Sequence, residues 1–278
     1  MKTRAWWALS VLAVCGTLAG MPASAQDDPP SARWELGVAA GGGSQQAYPG
    51  ADENTRGGRA IPYFIFRGER LRVDRGSVSV RALRTPAFEL DIGTSGALGS
   101  SASDVKVREG MPDLGDLIEF GPRLTWNLGE GPGDGRWRVQ LPLRGVFDLD
   151  DSLAWRGLTF EPEIEFSRRT AGGWRYSTSL SAIIGSERFN DLYYQVDPAF
   201  ATPTRPAYDA RAGLVTWRLA VGVSRWLSPD WRVFAAARVD HVAGAANRAS
   251  PLVLRQAGGS VGVGVQWVFF CSQAHASD

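Results

Sequence analysis

The sequence predicts an all-β fold, a closed antiparallel transmembrane β-barrel of about twelve strands, on three observations. Segments of about ten residues alternate apolar and polar side chains, tryptophans gather near segment ends, and connections alternate between short and long. Beyond an N-terminal apolar run, no stretch approaches the roughly 20 apolar residues that a spanning helix needs. In hydrocarbon every peptide group needs a partner within the protein, so a sheet closed on itself is the remaining way across.

Composition fits this expectation. The 278 residues carry 30 Lys plus Arg against 29 Asp plus Glu, a balance that offers no basic stripe for a nucleic-acid backbone. The 33 glycines and 11 tryptophans suit tight turns and aromatic anchors, and lysine occurs only at Lys2 and Lys106. At the N-terminus, Lys2 and Arg4 precede an apolar run from Ala5 to Leu18, then Pro22 and the small-residue site Ala23-Ser24-Ala25. Residues 1–25 are expected to be a cleaved export signal, leaving 26–278 as a single barrel domain. A lipoprotein reading of Leu12-Ala13-Val14-Cys15 is weaker, because Val14 is bulky where a small residue is usual. Cleavage leaves Cys271 alone, without a partner for an internal disulfide.

The strands read in order as 34–43, 58–67, 69–74, 76–84, 86–96, 118–128, 136–147, 158–168, 174–185, 212–226, 231–241 and 258–270. In the seventh, Trp137, Val139, Leu141 and Leu143 oppose Arg136, Arg138, Gln140 and Arg144. In the eighth, Leu158, Phe160, Pro162, Ile164 and Phe166 alternate with Thr159, Glu161, Glu163, Glu165 and Ser167. In the last, Val261, Val263, Val265, Trp267 and Phe269 share a face. A soluble β-sandwich alternates as well. Tryptophan placement separates the two, because Trp34, Trp126, Trp137, Trp155, Trp174, Trp217, Trp226, Trp231 and Trp267 mostly fall near segment ends, as interfacial girdles require. With both termini in the periplasm, the long connections 44–57, 97–117, 148–157, 186–211 and 242–257 all face outward, and those around Gly68, Thr85, Pro132, Gly172 and Pro229 face inward. Residues 67–86 are the least regular, and ten strands is the alternative if they form one irregular arm.

Several stretches resemble the MltA-interacting protein (MipA/OmpV) family of outer-membrane proteins. They are Tyr48-Pro49-Gly50-Ala51-Asp52, Pro62-Tyr63, Met111-Pro112-Asp113-Leu114-Gly115-Asp116 before Glu119-Phe120-Gly121-Pro122, Tyr193-Tyr194-Gln195-Val196, Pro206-Ala207-Tyr208-Asp209-Ala210, Leu227-Ser228-Pro229-Asp230-Trp231, Gly244-Ala245-Ala246 and Ala249-Ser250-Pro251-Leu252. Their order and spacing carry the likeness. The tail departs from it, because such barrels commonly end on an aromatic residue, whereas Phe270 here is followed by Cys271 to Asp278. The resemblance implies an outer-membrane location and a scaffold linking a lytic murein transglycosylase to a peptidoglycan synthase. Other members look like porins or adhesins.

The residues offer little for catalysis or metal binding, so no enzyme, cofactor or metal is expected. His275 lies in the polar tail, and His241 follows Asp240 on a strand, where neighbours point to opposite faces, a poor geometry for a dyad. Asp148, Asp150 and Asp151 lack the spacing of a calcium loop and read as a solvated external loop, with a weak divalent-cation bridge to lipopolysaccharide as the alternative. Gly41-Gly42-Gly43 lacks the helix and lysine of a phosphate loop. The lumen charges are the informative polar feature. A symmetric hairpin placing Phe147 opposite Leu158 sets Arg144 against Glu161 and Gln140 against Glu165. Such pairs read as a salt-bridged filling that closes the barrel, in preference to a charged constriction for small solutes. The functions that follow are a scaffold or adhesin-like barrel first, then a narrow channel, then a barrel enzyme using His241.

Overall fold

The structure, a computed structural model, describes residues 32–74, 77–97 and 105–274. The expected signal peptide and His275 lie outside these residues. Thirteen strands form one sheet: β1 (Trp34–Gln46), β2 (Asn54–Arg67), β3 (Leu71–Asp74), β4 (Ser77–Arg84), β5 (Phe88–Ala97), β6 (Leu117–Gly131), β7 (Gly135–Asp148), β8 (Ala154–Phe160), β9 (Glu163–Arg169), β10 (Trp174–Gly185), β11 (Gly213–Trp226), β12 (Trp231–His241) and β13 (Ala257–Cys271). Among the described residues one α-helix, α1 (Glu187–Tyr194), stands in the longest connection.

Each strand pairs antiparallel with the next in sequence, except β8 with β9, and β1 also pairs with β13, from Glu35 opposite Cys271 to Ser44 opposite Val261. That last pairing closes the sheet, so none of the described strands is left as a terminal edge. β8 and β9 are two pieces of one strand. Both pair with β7 on one side and β10 on the other, and the break falls at Glu161-Pro162. Proline has no N–H for the ladder, which explains the interruption. The wall is therefore the expected twelve-strand barrel with one strand split, and the arm at 67–86 forms two short strands, not one.

Outward residues are apolar and exposed, among them Phe64, Val80, Ile92, Leu143, Ile164, Leu180, Leu219 and Val263. No helix among the described residues is long and apolar enough to span a membrane; the strands supply the apolar belt. Six tryptophans, Trp34, Trp126, Trp137, Trp174, Trp231 and Trp267, ring the end of the barrel that carries the short turns. Trp155 and Trp217 stand toward the other end. Trp231 stacks on Trp267 with centroids 5.3 Å apart, and Phe88 on Trp126 at 5.6 Å. Trp226 departs from the expected girdle. It shares its face with Arg218 and Ser224, points inward, and packs against an inner cluster of Tyr63, Ile65 and Val268; Arg232 lies 5.9 Å above its ring.

The lumen face is the concave side of a strongly coiled sheet, and glycine marks where backbones crowd there. A Cβ at Gly43 would meet the carbonyl oxygen of Val261, and one at Gly121 that of Leu143, both at distances no real Cβ tolerates. Gly121→Val should therefore cost about 1–3 kcal/mol of stability, read as a lower urea midpoint for loss of the folded band in unheated electrophoresis.

Candidate functional site: a capped and charge-lined lumen

The five long connections emerge at one end and fold together over it. The strands run longer than expected and shorten the first of these to 47–53 and the third to 149–153. Tyr48 and Ala51 from the first, Val105 and Leu114 from the second, Phe189, Tyr194, Val196 and Ala210 from the fourth and Leu252 from the fifth make one buried apolar cluster with Leu117, Val146 and Val215 of the wall. The helix α1 contributes because its buried Phe189, Asn190 and Tyr194 lie on one side, one turn apart.

Hydrogen bonds from buried side chains to loop carbonyls fasten this cap. Tyr48 donates to Leu252 O at 2.8 Å, Tyr194 to Pro49 O at 2.9 Å, and Ser250 to Tyr194 O at 2.8 Å. Arg205 donates to Phe200 O at 2.7 Å, Val107 O at 2.7 Å and Glu109 O at 3.0 Å, joining the second and fourth connections. Arg108 lies beneath, 5.9 Å from the Tyr48 ring, and reaches Pro112 O at 3.2 Å. Burial pushes the Tyr193 phenol up to about 12 and raises Tyr48 and Tyr194 further, so all three stay protonated at physiological pH. Burial also pulls Arg108 below its ordinary value, against the pull of Tyr48 and Tyr193.

Under the cap lies a layer of paired charges. Arg144 bonds Glu119 at 2.9 Å, Arg218 bonds Asp240 at 2.7 Å and approaches Glu161 at 3.8 Å, and Arg238 approaches Asp240 at 3.5 Å. Ser181 donates to Glu161 at 3.0 Å. Nearer the turn end follow Arg138 with Glu165 at 3.8 Å, Arg123 with Asp91 at 3.1 Å, Arg81 with Glu89 at 2.8 Å and Arg67 with Glu35 at 2.6 Å. Opposite charges on the inner wall thus stand within reach of one another, which is how a narrow interior is filled with ions at tolerable cost.

The expected lumen set, Arg136, Arg138, Gln140, Arg144, Glu161, Glu163 and Glu165, does lie on the inward face, but its pairing differs. The β7–β8 hairpin is asymmetric, with Phe147 opposite Trp155 and a register shift beside it, so Arg144 stands opposite Thr159 and Gln140 opposite Glu163. A two-residue slip preserves the faces while changing every partner. Arg144 pairs with Glu119 on its other neighbour, and Glu161 with Arg218. Gln140 still reaches Glu165, at 3.5 Å, besides Glu163 at 3.2 Å.

Asp148 and Asp151 hold Arg156 at 2.8 and 2.9 Å, and Asp150 accepts the Asp116 N–H at 2.9 Å. These carboxylates are loop fasteners. Among the described residues no group of three or more His, Cys, Asp or Glu could hold a metal ion. His241 is exposed and its Nδ1 accepts the Ala243 N–H at 3.1 Å, while Asp240 turns inward. Gly41-Gly42-Gly43 runs inside β1 and pairs with β2 and β13. Cys271 is exposed at the end of β13.

Sequence reasoning missed Arg218 and Arg238 and weighed Asp240 only as the neighbour of His241, although their inward positions on β11 and β12 follow from the same alternation. It also missed Arg108 and Arg205, whose loops have no period to read.

The profile of a family described as MltA-interacting protein MipA matches residues 38–269. No curated protein matches the chain. Among solved structures, similarity extends to a NanC porin at 9% identity, covering 83% of this chain and 98% of that one, with a TM-score of 0.40. An outer membrane channel from Pseudomonas putida F1 matches at 11% identity over 89% and 99%, with a TM-score of 0.41. The translocator domain of the autotransporter NalP from Neisseria meningitidis matches at 13% identity over 87% and 90%, with a TM-score of 0.43.

Proposed function

The chain is an outer-membrane β-barrel that belongs to the MltA-interacting protein MipA family, and from that premise we propose that it is a non-enzymatic scaffold for cell-wall machinery. The partner implied by the family's description is a murein transglycosylase, and a peptidoglycan synthase is the second partner that the resemblance brings. Both would meet the barrel at its turn end, which faces the periplasm when the long loops point outward.

The single observation behind this reading is the cap. A conducting pore keeps a water-filled route between its two mouths, whereas here a buried apolar cluster drawn from four loops stands over one mouth and paired charges fill the wall below it. What is left for function is the outer surface, and lipid or lipopolysaccharide occupies its apolar belt. Partner capture tests the proposal. The purified barrel, immobilised in detergent, should retain a murein transglycosylase stripped of its lipid anchor, and crosslinking in intact cells should recover the same pair. No retention in either format sinks the scaffold.

A narrow channel is the second reading, favoured by the inward Arg136, Arg138, Arg144, Glu161, Glu163 and Glu165. Planar bilayers separate the two, with the intact barrel expected to show no discrete openings. For the non-enzymatic part, a His241→Ala strain should keep lipid A and peptide profiles unchanged; an altered profile would restore the enzyme.

A further inference from the structure

We infer that the outer-leaflet half of the wall carries a notch beside β2 that seats an acyl chain and ester group of a phospholipid. β2 pairs with β1 from Asn54 opposite Gln46 to Phe66 opposite Trp34. On its other side it meets β3 only at Phe66 and Arg67, because β3 is four residues long. β4 and β5 add little height. Asp74 stands opposite Ser77 at the head of the β3–β4 hairpin, and the Val78 N–H bonds the Thr94 hydroxyl of β5, which ends at Ala97. Among the described residues, no strand therefore flanks residues 54–65 of β2 on that side.

The edge left open is unsuited to another strand. Arg67 donates its N–H to Arg33 O at 2.7 Å, toward β1, so alternation turns the even-numbered amides of β2 away from β1. Pro62 belongs to that even set, and the ladder with β1 runs unbroken through it because its hydrogen-less nitrogen faces the open side. A proline in mid-edge denies a partner strand its bond, and it also removes a donor that hydrocarbon would leave unsatisfied. Above it, Ala60 and Gly58 keep theirs. Phe66 pairs with Trp34 of the turn-end girdle. At roughly 3.3 Å per residue and a tilt of about 40°, Gly58 lies about 20 Å further out, where an apolar belt of about 25 Å gives way to ester carbonyls.

Side chains around the notch are apolar on both faces of the sheet. Ala60, Pro62 and Phe64 are exposed outward, and Val78 and Val80 of the hairpin are exposed below them. Behind, Ile61, Tyr63 and Ile65 are buried where a lumen face is ordinarily polar, which gives the notch a dry floor. An acyl chain there continues the lipid belt into the gap, and its ester carbonyl accepts from Ala60 or Gly58. The rim carries Asp52 and Glu53 with Arg56 and Arg59. That mixed charge suits the single phosphate of a phospholipid better than the several phosphates of lipopolysaccharide. The site is independent of any transglycosylase partner.

Native mass spectrometry of the full-length barrel, extracted in mild detergent, tests it. One phospholipid should stay bound through exchange into fresh detergent. Photo-crosslinking in nanodiscs, with a phosphatidylethanolamine that carries a diazirine in one chain, should mark residues 56–64 and 77–80 above the rest of the belt. Ala60→Trp, which fills the notch from an exposed position, should lower retention about tenfold, and Leu219→Trp, elsewhere in the belt, should leave it unchanged. Unheated electrophoresis checks that both variants fold, and the crosslinking pattern of the parent decides the matter if they do not. The site is refuted by loss of every lipid on exchange, by retention of lipopolysaccharide or of a second barrel in its place, or by crosslinks spread evenly to Leu219 and Val263. A folded Ala60→Trp variant that retains the phospholipid as the parent does refutes it equally.

Discussion

Replacing Arg205 by alanine should unfasten the loop cap while leaving the barrel wall folded. Arg205 is 8% exposed and its guanidinium is shared among the carbonyls of Phe200, Val107 and Glu109. Each buried carbonyl left without a donor costs about 1–3 kcal/mol, so losing two or three together costs about 3 kcal/mol after water enters. That energy belongs to the cap alone, because the bonds run between the 98–116 and 186–212 connections and touch no strand ladder. The population of open cap should rise roughly a hundredfold. Limited proteolysis of the barrel in liposomes checks this, with faster cleavage between 186 and 212 and an unchanged urea midpoint for the wall. Arg205→Lys should fall between, since an ammonium has no fork to span three carbonyls. Cleavage at the parent rate in Arg205→Ala would show that the apolar cluster holds the cap without the staple.

The second large effect is expected at Asp240. It is 2% exposed and holds Arg218 at 2.7 Å and Arg238 at 3.5 Å, so two cations on neighbouring strands meet over one carboxylate. Asp240→Ala leaves those arginines facing each other inside the wall. Removing one member of a buried ion group costs about 3–5 kcal/mol, chiefly through the charge left uncompensated. Urea unfolding in detergent micelles should show the loss directly. Replacing Arg218, Arg238 and Asp240 together by Leu or Met should recover most of the stability, since a matched apolar filling often equals a buried ion group. Failure of the triple variant to recover would mean that Glu161, also within 3.8 Å of Arg218, needs that cation.

Much of this architecture is legible in the sequence. Two-residue alternation is a strong signal over strands of ten or more residues, and it placed Trp137 outward and Arg138 inward without error. The family likeness was carried by loop and turn stretches such as Tyr48-Pro49-Gly50 and Tyr193-Tyr194, now seen packed in the cap. Register was harder. The shift beside Phe147 comes from a bulge, and a bulge leaves no mark in a pattern of period two. Pro162 was counted into an apolar face when its missing N–H was the stronger fact. Trp226 looked like a girdle residue because it closes a strand, yet its parity with Arg218 turns it inward. The cap was illegible for a different reason: it unites Tyr48, Val105, Tyr194 and Leu252 from four connections, and no local pattern reports contacts between loops.

That long reach also dictates timing. Tyr48 bonds Leu252 across 204 positions and Tyr194 bonds Pro49 across 145, contacts of high sequence separation that form slowly and late. None of them can exist until β1 and β13 have met and every loop has crossed the bilayer. A finished cap therefore certifies a finished insertion, and protease resistance of the external loops should appear only after the full-length wall has assembled.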